Sequence, residues 1–297
     1  MLTADALRGV IPAIVTPFTV SDAVDEPALR RITDHVLRNG VHGVMTTGGT
    51  GEFPHLSREE KRIVTAIVVD EVQGRVPVIA GTAACSTREA IDLSEDAQAI
   101  GADAVIVTAP YYFGLPPSSL ERHYRELAEA VDIPIVVYNN PLYTGNNLSP
   151  ALLARLAEVE GIIGLKQSND NLGELVEVVR LARERMSVCT GIDSQFYPAL
   201  CVGARGIFST AANVMPAQMV QVYELTVSGR HDEARELHLR LQVLNRLLEY
   251  DPGYVSPCKE ALAMMGMPAG RVRRPLPELT DEEWQELRGA LEQLGLV

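Results

Sequence analysis

The chain has 297 residues, 46% of them hydrophobic, which is enough to bury a large core. Chains of about 250 residues commonly form one α/β barrel domain. The net charge of −13 argues against a nucleic-acid partner, because such a surface would not neutralise phosphates. We expect no membrane contact, since no apolar run reaches the roughly 18 residues of a membrane span.

Cysteine and histidine spacing argues against a metal site. The four cysteines are scattered without CxxC spacing, and the six histidines show no HExxH pattern. No basic segment followed by an apolar run opens the chain, so we expect reduced thiols and a cytoplasmic protein. Neither GxxxxGK[ST] nor GxGxxG occurs, so we predict no nucleotide cofactor.

Eight short β-branched runs alternate with amphipathic segments, which is typical of repeated βα units. They recur roughly every thirty residues, as parallel crossovers require. Eight parallel strands close a barrel, so we predict an α/β fold of the (β/α)8 TIM-barrel type. The predicted strands are Val10–Thr16, Val41–Thr47, Val76–Thr82, Ala104–Ala109, Pro134–Asn139, Ile162–Gln167, Ser187–Ile192 and Gly206–Ser209.

Helix starts between these runs carry capping chemistry. Ser57 with Glu60 and Ser86 with Glu89 match the capping box, and Pro150 follows a serine at a third start. Beyond the eighth strand we predict additional helices, so we divide the chain into a barrel over 1–225 and a C-terminal helical extension over 226–297. The predicted segments are Pro216–Glu249 with a break near Gly229, Ser256–Met265, a loop over Gly266–Pro277, and Thr280–Leu294.

Polar residues cluster where the predicted strands end. In barrels of this class the active site lies at the carboxyl ends of the strands, so these residues are the first candidates for chemistry. They are Thr16, Gly48–Glu52, Tyr111, Tyr112, Tyr138, Lys166, Asp193 and Ser209.

Lys166 is the most specific signal. The chain has only three lysines, and Lys166 alone interrupts an apolar strand, whereas Lys61 and Lys259 fall in helical segments that we expect to be wetter. Burial removes the hydration of an ammonium and favours the free amine that attacks a ketone. A lysine that extends to solvent or pairs with an acid would give the same pattern.

The glycine-rich segment GGTGE follows the second predicted strand. Its glycines allow several backbone N–H groups to converge on one anion, and Thr50 adds a hydroxyl donor. A substrate carboxylate could bind there, between Gly49 and Gly51. A flexible turn between strand and helix would have the same composition.

Tyr138 ends the fifth predicted strand, in the sequence VVYNNP. A phenol beside a cationic imine could move protons during dehydration of the carbinolamine. A strand-end aromatic that anchors the rim through its hydroxyl is the alternative, and the same ambiguity applies to Tyr111 and Tyr112.

Four motifs in this order and spacing resemble the dihydrodipicolinate synthase and N-acetylneuraminate lyase family. They are GGTGE at 48–52, APYY at 109–112, YNNP at 138–141 and GLK at 164–166, within a resemblance that runs from VIPAIVTPF at 10–18 through GIFSTAANV at 206–214. The resemblance implies a homotetramer built as a dimer of dimers, a 2-keto acid such as pyruvate bound as a Schiff base, and no cofactor.

Carried over by position, the resemblance implies a role for each candidate. Lys166 forms the imine, Tyr138 is the central acid and base, and Tyr112 enters the neighbouring subunit's site. The implied substrate contacts are Gly49, Thr50 and Gly51 as the carboxylate cradle, Phe208 with its backbone towards the lysine, and Asp193 near the distal part of the substrate.

Two positions depart from the family's pattern. Where members have Thr or Ser as a hydroxyl that relays protons between tyrosines, this chain has Gly49, so we expect open space beside Tyr138. The GGTGEF form resembles members that dehydrate keto-deoxy sugar acids, although YNNPLYTG is not their usual fifth-strand sequence. Tyr143 stands where true synthases have an arginine that binds the carboxylate of aspartate semialdehyde.

Three functions follow as hypotheses. The first is an imine-forming lyase, aldolase or dehydratase, acting on a keto-deoxy substrate that is sugar-derived or hydroxyproline-derived. The second is an authentic 4-hydroxy-tetrahydrodipicolinate synthase, which Gly49 and Tyr143 disfavour. The third is a barrel that binds keto acids without turnover.

Overall fold

The computed structural model describes residues 2–249, 253–267 and 269–297. Eight parallel strands form one sheet in the order β1-β8-β7-β6-β5-β4-β3-β2. A parallel bridge between Ala13 and Met45 joins β1 to β2 and closes the barrel. The predicted (β/α)8 TIM barrel is therefore confirmed. Its strands are β1 Gly9–Pro12, β2 Val44–Thr46, β3 Val78–Gly81, β4 Ala104–Thr108, β5 Ile135–Asn139, β6 Ile162–Gln167, β7 Ser187–Thr190 and β8 Gly206–Ser209.

Several strands are shorter than their apolar runs, and β1 shows why. The Asn213 side chain donates to the carbonyl of Ala13 at 2.9 Å and accepts from the N–H of Val15 at 3.2 Å. A side chain thus replaces the neighbouring strand as hydrogen-bond partner, although these residues stay buried. The apolar pattern shows which residues are buried, whereas the bounds of a strand depend on its backbone hydrogen bonds with neighbouring strands.

Helices cover the barrel, and three more follow at the C-terminal end. They are α1 Glu26–Arg38, α2 Arg58–Val72, α3 Thr87–Ile100, α4 Pro117–Ala130, α5 Pro141–Thr144, α6 Pro150–Leu156, α7 Leu172–Ala182, α8 Phe196–Cys201, α9 Pro216–Val227, α10 His231–Leu248, α11 Val255–Met264 and α12 Asp281–Leu294. Ser57 and Glu60 form both hydrogen bonds of the capping box. At the start of α3, only the bond from the N–H of Glu89 to the Ser86 side chain is formed. No helix among the described residues is long and apolar enough to span a membrane.

The C-terminal helices pack on the flank of the barrel. Leu241 and Leu244 of α10 belong to the same buried cluster as Val10 of β1 and Val222 of α9. The break predicted near Gly229 lies between α9 and α10, and Gly229 has a φ of 78°. The division of the chain after residue 225 stays a prediction.

Lys259 lies in a buried ion pair, so the prediction of a wetter position was wrong. Its Nζ is 2.5 Å from Oε1 of Glu52 and donates to the carbonyl of Arg271 at 3.1 Å, while the N–H of Arg273 donates to Oε2 of Glu52 at 2.8 Å. The ion pair fastens the GGTGE segment to α11. Loss of one partner from such a pair commonly costs about 3–5 kcal/mol, because a charge remains buried and unpaired.

Candidate active site

Lys166 and Tyr138 lie side by side inside the barrel. The parallel register of β5 and β6 places Tyr138 opposite Lys166, and both side chains are buried. The Lys166 Nζ is 4.3 Å from the centroid of the Tyr138 ring and 5.8 Å from that of Phe208. Phe208 thus presents its ring to the amine.

The surroundings of Lys166 disfavour a purely structural role. The side chain is 5% exposed, and no carboxylate of the described residues lies within 4.0 Å of its Nζ. The lysine therefore neither reaches solvent nor forms an ion pair in the described part of the chain. Gly191 makes room for it, because a Cβ there would lie 2.6 Å from Cε of Lys166.

The Tyr138 hydroxyl is placed to exchange protons. The Asn140 side-chain amide donates to it at 2.9 Å. Burial would raise the pKa of this phenol, but the charge of Lys166 and the hydrogen bond from Asn140 lower it below its usual value. A phenol that readily becomes phenolate beside an amine can accept and return a proton.

The GGTGE segment is held in place, which argues against a flexible turn. The Gly51 carbonyl accepts from the Thr16 hydroxyl at 2.7 Å, and the hydroxyls of Thr50 and Thr210 are 2.9 Å apart. Within the described residues, the backbone N–H groups of Gly49, Thr50 and Gly51 have no hydrogen-bond partner. Three unused donors on a rigid loop are suited to a carboxylate.

Asp193 is buried behind the predicted substrate position. Its carboxylate accepts from the Ser209 hydroxyl and from the N–H groups of Thr210 and Ala211, both at 3.1 Å. Burial raises the pKa of Asp193, although these hydrogen bonds act in the opposite direction. The residue lines the pocket and also fixes the loop after β8.

Gly49 does not leave open space, so that expectation was wrong. A Cβ at residue 49 would collide with the hydroxyl of Tyr254, which enters from the turn before α11. The Tyr254 ring lies 6.3 Å from the ring of Tyr143, which is half-exposed on α5. Tyr254 was missed because it is distant in sequence from every strand end.

Tyr112 does not line the pocket of its own chain. Its side chain is 87% exposed, its φ is 82°, and its ring packs edge-on against Phe113 at 4.9 Å. Tyr111 lines the pocket instead. A positive φ is costly for a tyrosine, and such strain persists where a side chain must be held in a particular place.

Two cavities of about 490 and 320 Å³ meet at the Tyr138 side chain. Lys166 is the only lysine or arginine among the described residues that line them, whereas the lining includes several carboxylates. No group of three or more His, Cys, Asp or Glu in the described residues could hold a metal. Lining residues that the sequence patterns missed are Asn140, Ser168, Gly191, Thr210, Glu249 and Tyr254.

Glu249 brings a second carboxylate close to Asp193. It follows α10, and its Oε1 accepts from the N–H of Ser194 at 2.6 Å. Burial, with the nearby charge of Asp193, raises the pKa of Glu249 to about 7. No strand-end pattern indicated this pair, because Glu249 follows α10 and does not lie at a strand end.

Glu249 should make the fold less stable as pH rises. Its pKa is raised in the folded chain, so its contribution is fully present below about pH 4.5 and is lost as pH rises through about 7, by up to about 3 kcal/mol. Glu249→Gln should remove this loss, and urea unfolding at about pH 5 and pH 8 measures it. Glu236→Gln on the exposed face of α10 is the control. An unchanged pH dependence in Glu249→Gln would contradict the shift.

Comparisons with known proteins agree with this site. Residues 6–294 match the model of the dihydrodipicolinate synthetase family. The 4-hydroxy-tetrahydrodipicolinate synthase of Pelobacter propionicus is 40% identical over 290 residues, covering 98% of this chain and 99% of the relative. That of Methanopyrus kandleri is 41% identical over 293 residues, covering 98% and 97%.

A solved structure extends the comparison to the fold. YagE of Escherichia coli K12, a prophage protein of the dihydrodipicolinic acid synthase family solved in complex with pyruvate, is 31% identical. It aligns with a TM-score of 0.94 over 98% of this chain and 99% of that one. The chain belongs to the dihydrodipicolinate synthase family and is a class I lyase that acts through a Schiff base.

Proposed function

We propose that Lys166 forms the Schiff base with pyruvate or another 2-keto acid. The observation that carries the proposal is the buried amine, which lies 4.3 Å from the centroid of the Tyr138 ring with no carboxylate of the described residues within 4.0 Å. The amine attacks the keto carbon, and the carbinolamine then loses water to give a cationic imine. That imine withdraws electrons from the adjacent carbon, which allows a bond there to break or form.

Tyr138 and the GGTGE segment divide the remaining work. The Tyr138 phenol moves protons at the carbinolamine and at the substrate carbon, supported by its lowered pKa beside Lys166. The unused N–H groups of Gly49, Thr50 and Gly51 bind the substrate carboxylate. Lys166 then faces the keto carbon while the rest of the substrate extends towards Asp193 and Tyr143.

The distal part of the pocket favours a hydroxylated substrate. Asp170, Asp193 and Glu249 line it, and their oxygens can form hydrogen bonds with hydroxyl groups, whereas the described lining offers no arginine to a second carboxylate. We therefore propose aldol cleavage, condensation or dehydration of a keto-deoxy acid of five or six carbons. Tyr143 supplies a neutral donor at the position of the family's arginine.

The second candidate function is 4-hydroxy-tetrahydrodipicolinate synthesis from pyruvate and aspartate semialdehyde. The names of the relatives from Pelobacter propionicus and Methanopyrus kandleri favour it. Both functions share the imine at Lys166 and differ in the second part of the substrate. The residue at position 143 is the sharpest difference between them.

We also propose a homotetramer built as a dimer of dimers, located in the cytoplasm. Tyr112 and Phe113 are exposed on the loop after β4, and Leu142 and Tyr143 are exposed on α5 after β5, which leaves large hydrophobic side chains for a partner to cover. The strained backbone of Tyr112 supports its insertion into a partner's site. The four cysteines are unpaired, which agrees with a reducing compartment.

Covalent trapping tests the imine. Pyruvate with borohydride should add one reduced pyruvyl group per chain, located on Lys166 by peptide mass spectrometry. Lys166→Ala should abolish the adduct, whereas Lys61→Gln should retain it. An adduct that persists in Lys166→Ala, or that lies on Lys61 or Lys259, would remove the basis of the proposal.

A substrate panel separates the two candidate functions. We expect kcat/KM for hydroxylated five- or six-carbon 2-keto acids to exceed that for pyruvate with aspartate semialdehyde. An arginine forms charge-assisted hydrogen bonds, and its absence costs on the order of 2 kcal/mol, or more than tenfold. Tyr143→Arg should therefore raise turnover of the semialdehyde at least tenfold, and Tyr143→Gln, which adds uncharged donors, should not. The synthase function is favoured instead if the wild type prefers the semialdehyde.

Mixed dimers test the role of Tyr112. Tyr112→Phe and Lys166→Ala chains should each be nearly inactive alone, because each lacks one part of every site. Mixed together, they should recover activity, since a Lys166 site then receives Tyr112 from its partner. Sedimentation establishes the assembly state. A fully active monomer, or no recovery on mixing, would refute the proposed insertion.

A further inference from the structure

The Tyr254 hydroxyl lies where a side chain at position 49 would otherwise be. A Cβ on Gly49 would collide with the Tyr254 hydroxyl, although the backbone of Gly49 is in a conformation that other residues adopt. A side chain at position 49 would therefore displace the phenol oxygen of Tyr254, although the backbone of residue 49 would accept one. The contact joins the GGTGE segment to the turn before α11.

The Tyr254 hydroxyl lies among the groups that handle substrate. Tyr254, Tyr138 and Tyr143 all line both of the cavities that meet at Tyr138. Burial raises the pKa of Tyr254, and the charge of the nearby Tyr138 phenol adds to the shift. The hydroxyl of Thr50, next to Gly49, lies 2.9 Å from the Thr210 hydroxyl.

Imine formation requires a proton to be stored between two steps. The Lys166 ammonium must lose one proton to become the attacking amine. The carbinolamine later needs one proton so that its hydroxyl leaves as water and the C–N bond becomes a cationic imine. The two demands balance without another reactant, provided that nearby groups hold the proton in between.

We propose that Tyr254 is a relay residue. Its hydroxyl, which lies beside Gly49, shares this proton with Tyr138. Tyr138 takes the proton from Lys166 and exchanges it with the Tyr254 hydroxyl. It returns a proton to the departing hydroxyl. Tyr254 acts through Tyr138 and so does not need to touch the substrate. The inference rests on the proposed imine at Lys166.

The geometry provides a matched pair of rescue variants. The Cβ that would collide with the Tyr254 hydroxyl would lie 3.7 Å from its Cζ, which is an ordinary contact. In Tyr254→Phe the oxygen is gone, and a small side chain at position 49 fits. Gly49→Ser then returns a hydroxyl near the vacated place, whereas Gly49→Ala returns only the Cβ.

The rate at which pyruvate forms the trapped imine tests the relay. Tyr254→Phe should slow it on the order of 10²-fold, at the lower end of the effect of losing a proton-transfer group, because Tyr138 remains. Its pH profile should also change, and thermal unfolding should confirm that the variant folds. The double variant Gly49→Ser with Tyr254→Phe should recover most of the rate, and Gly49→Ala with Tyr254→Phe should not.

The outcomes separate this inference from the proposed function. If the wild type forms no imine with pyruvate, both the relay and the proposed function are contradicted. A wild-type rate in Tyr254→Phe, equal recovery by the alanine variant, or no recovery by the serine variant would overturn the relay alone. Serine-specific recovery would support it, because packing changes equally in the two double variants.

Discussion

The site depends on the register of two adjacent strands. Because β5 and β6 run parallel with Tyr138 opposite Lys166, an ammonium and a phenol face each other in the barrel interior. Water is scarce there, so charge on one group changes the protonation of the other far more than it would at a surface. The shift of Tyr138 towards phenolate follows from this contact. A slip of one residue in the register would turn one of the two side chains outward and end the chemistry.

The barrel alone does not complete the pocket. The C-terminal extension supplies Tyr254 at the GGTGE segment and, just after α10, Glu249 at the distal wall. It also holds that segment through the buried pair of Glu52 with Lys259. The extension therefore positions the proposed carboxylate cradle as well as covering the flank of the barrel. Substitutions in α11 can consequently affect substrate binding without touching a strand.

Local sequence patterns were sufficient to predict the positions of Lys166 and Tyr138. Lys166 interrupts an apolar strand and Tyr138 ends one. The carboxyl ends of all strands of a parallel barrel lie on the same face, so the proximity of the two residues followed from the fold. Lys259 was placed wrongly because helical periodicity does not reveal which partner a charged residue meets. Gly49 was expected to leave space because its neighbour Tyr254 is far away in the chain. Tertiary contacts between distant segments leave no mark in local composition.

In the proposed complex, Lys166 binds the keto carbon covalently while the GGTGE segment holds the carboxylate. A crystal structure of the protein with pyruvate is the decisive test. We expect continuous electron density from Nζ of Lys166 to the keto carbon, with the carboxylate on the N–H groups between Gly49 and Gly51. The Tyr138 hydroxyl should lie within hydrogen-bond distance of the former carbonyl position. Pyruvate bound without a covalent link, or bound with its carboxylate away from that segment, would contradict the account.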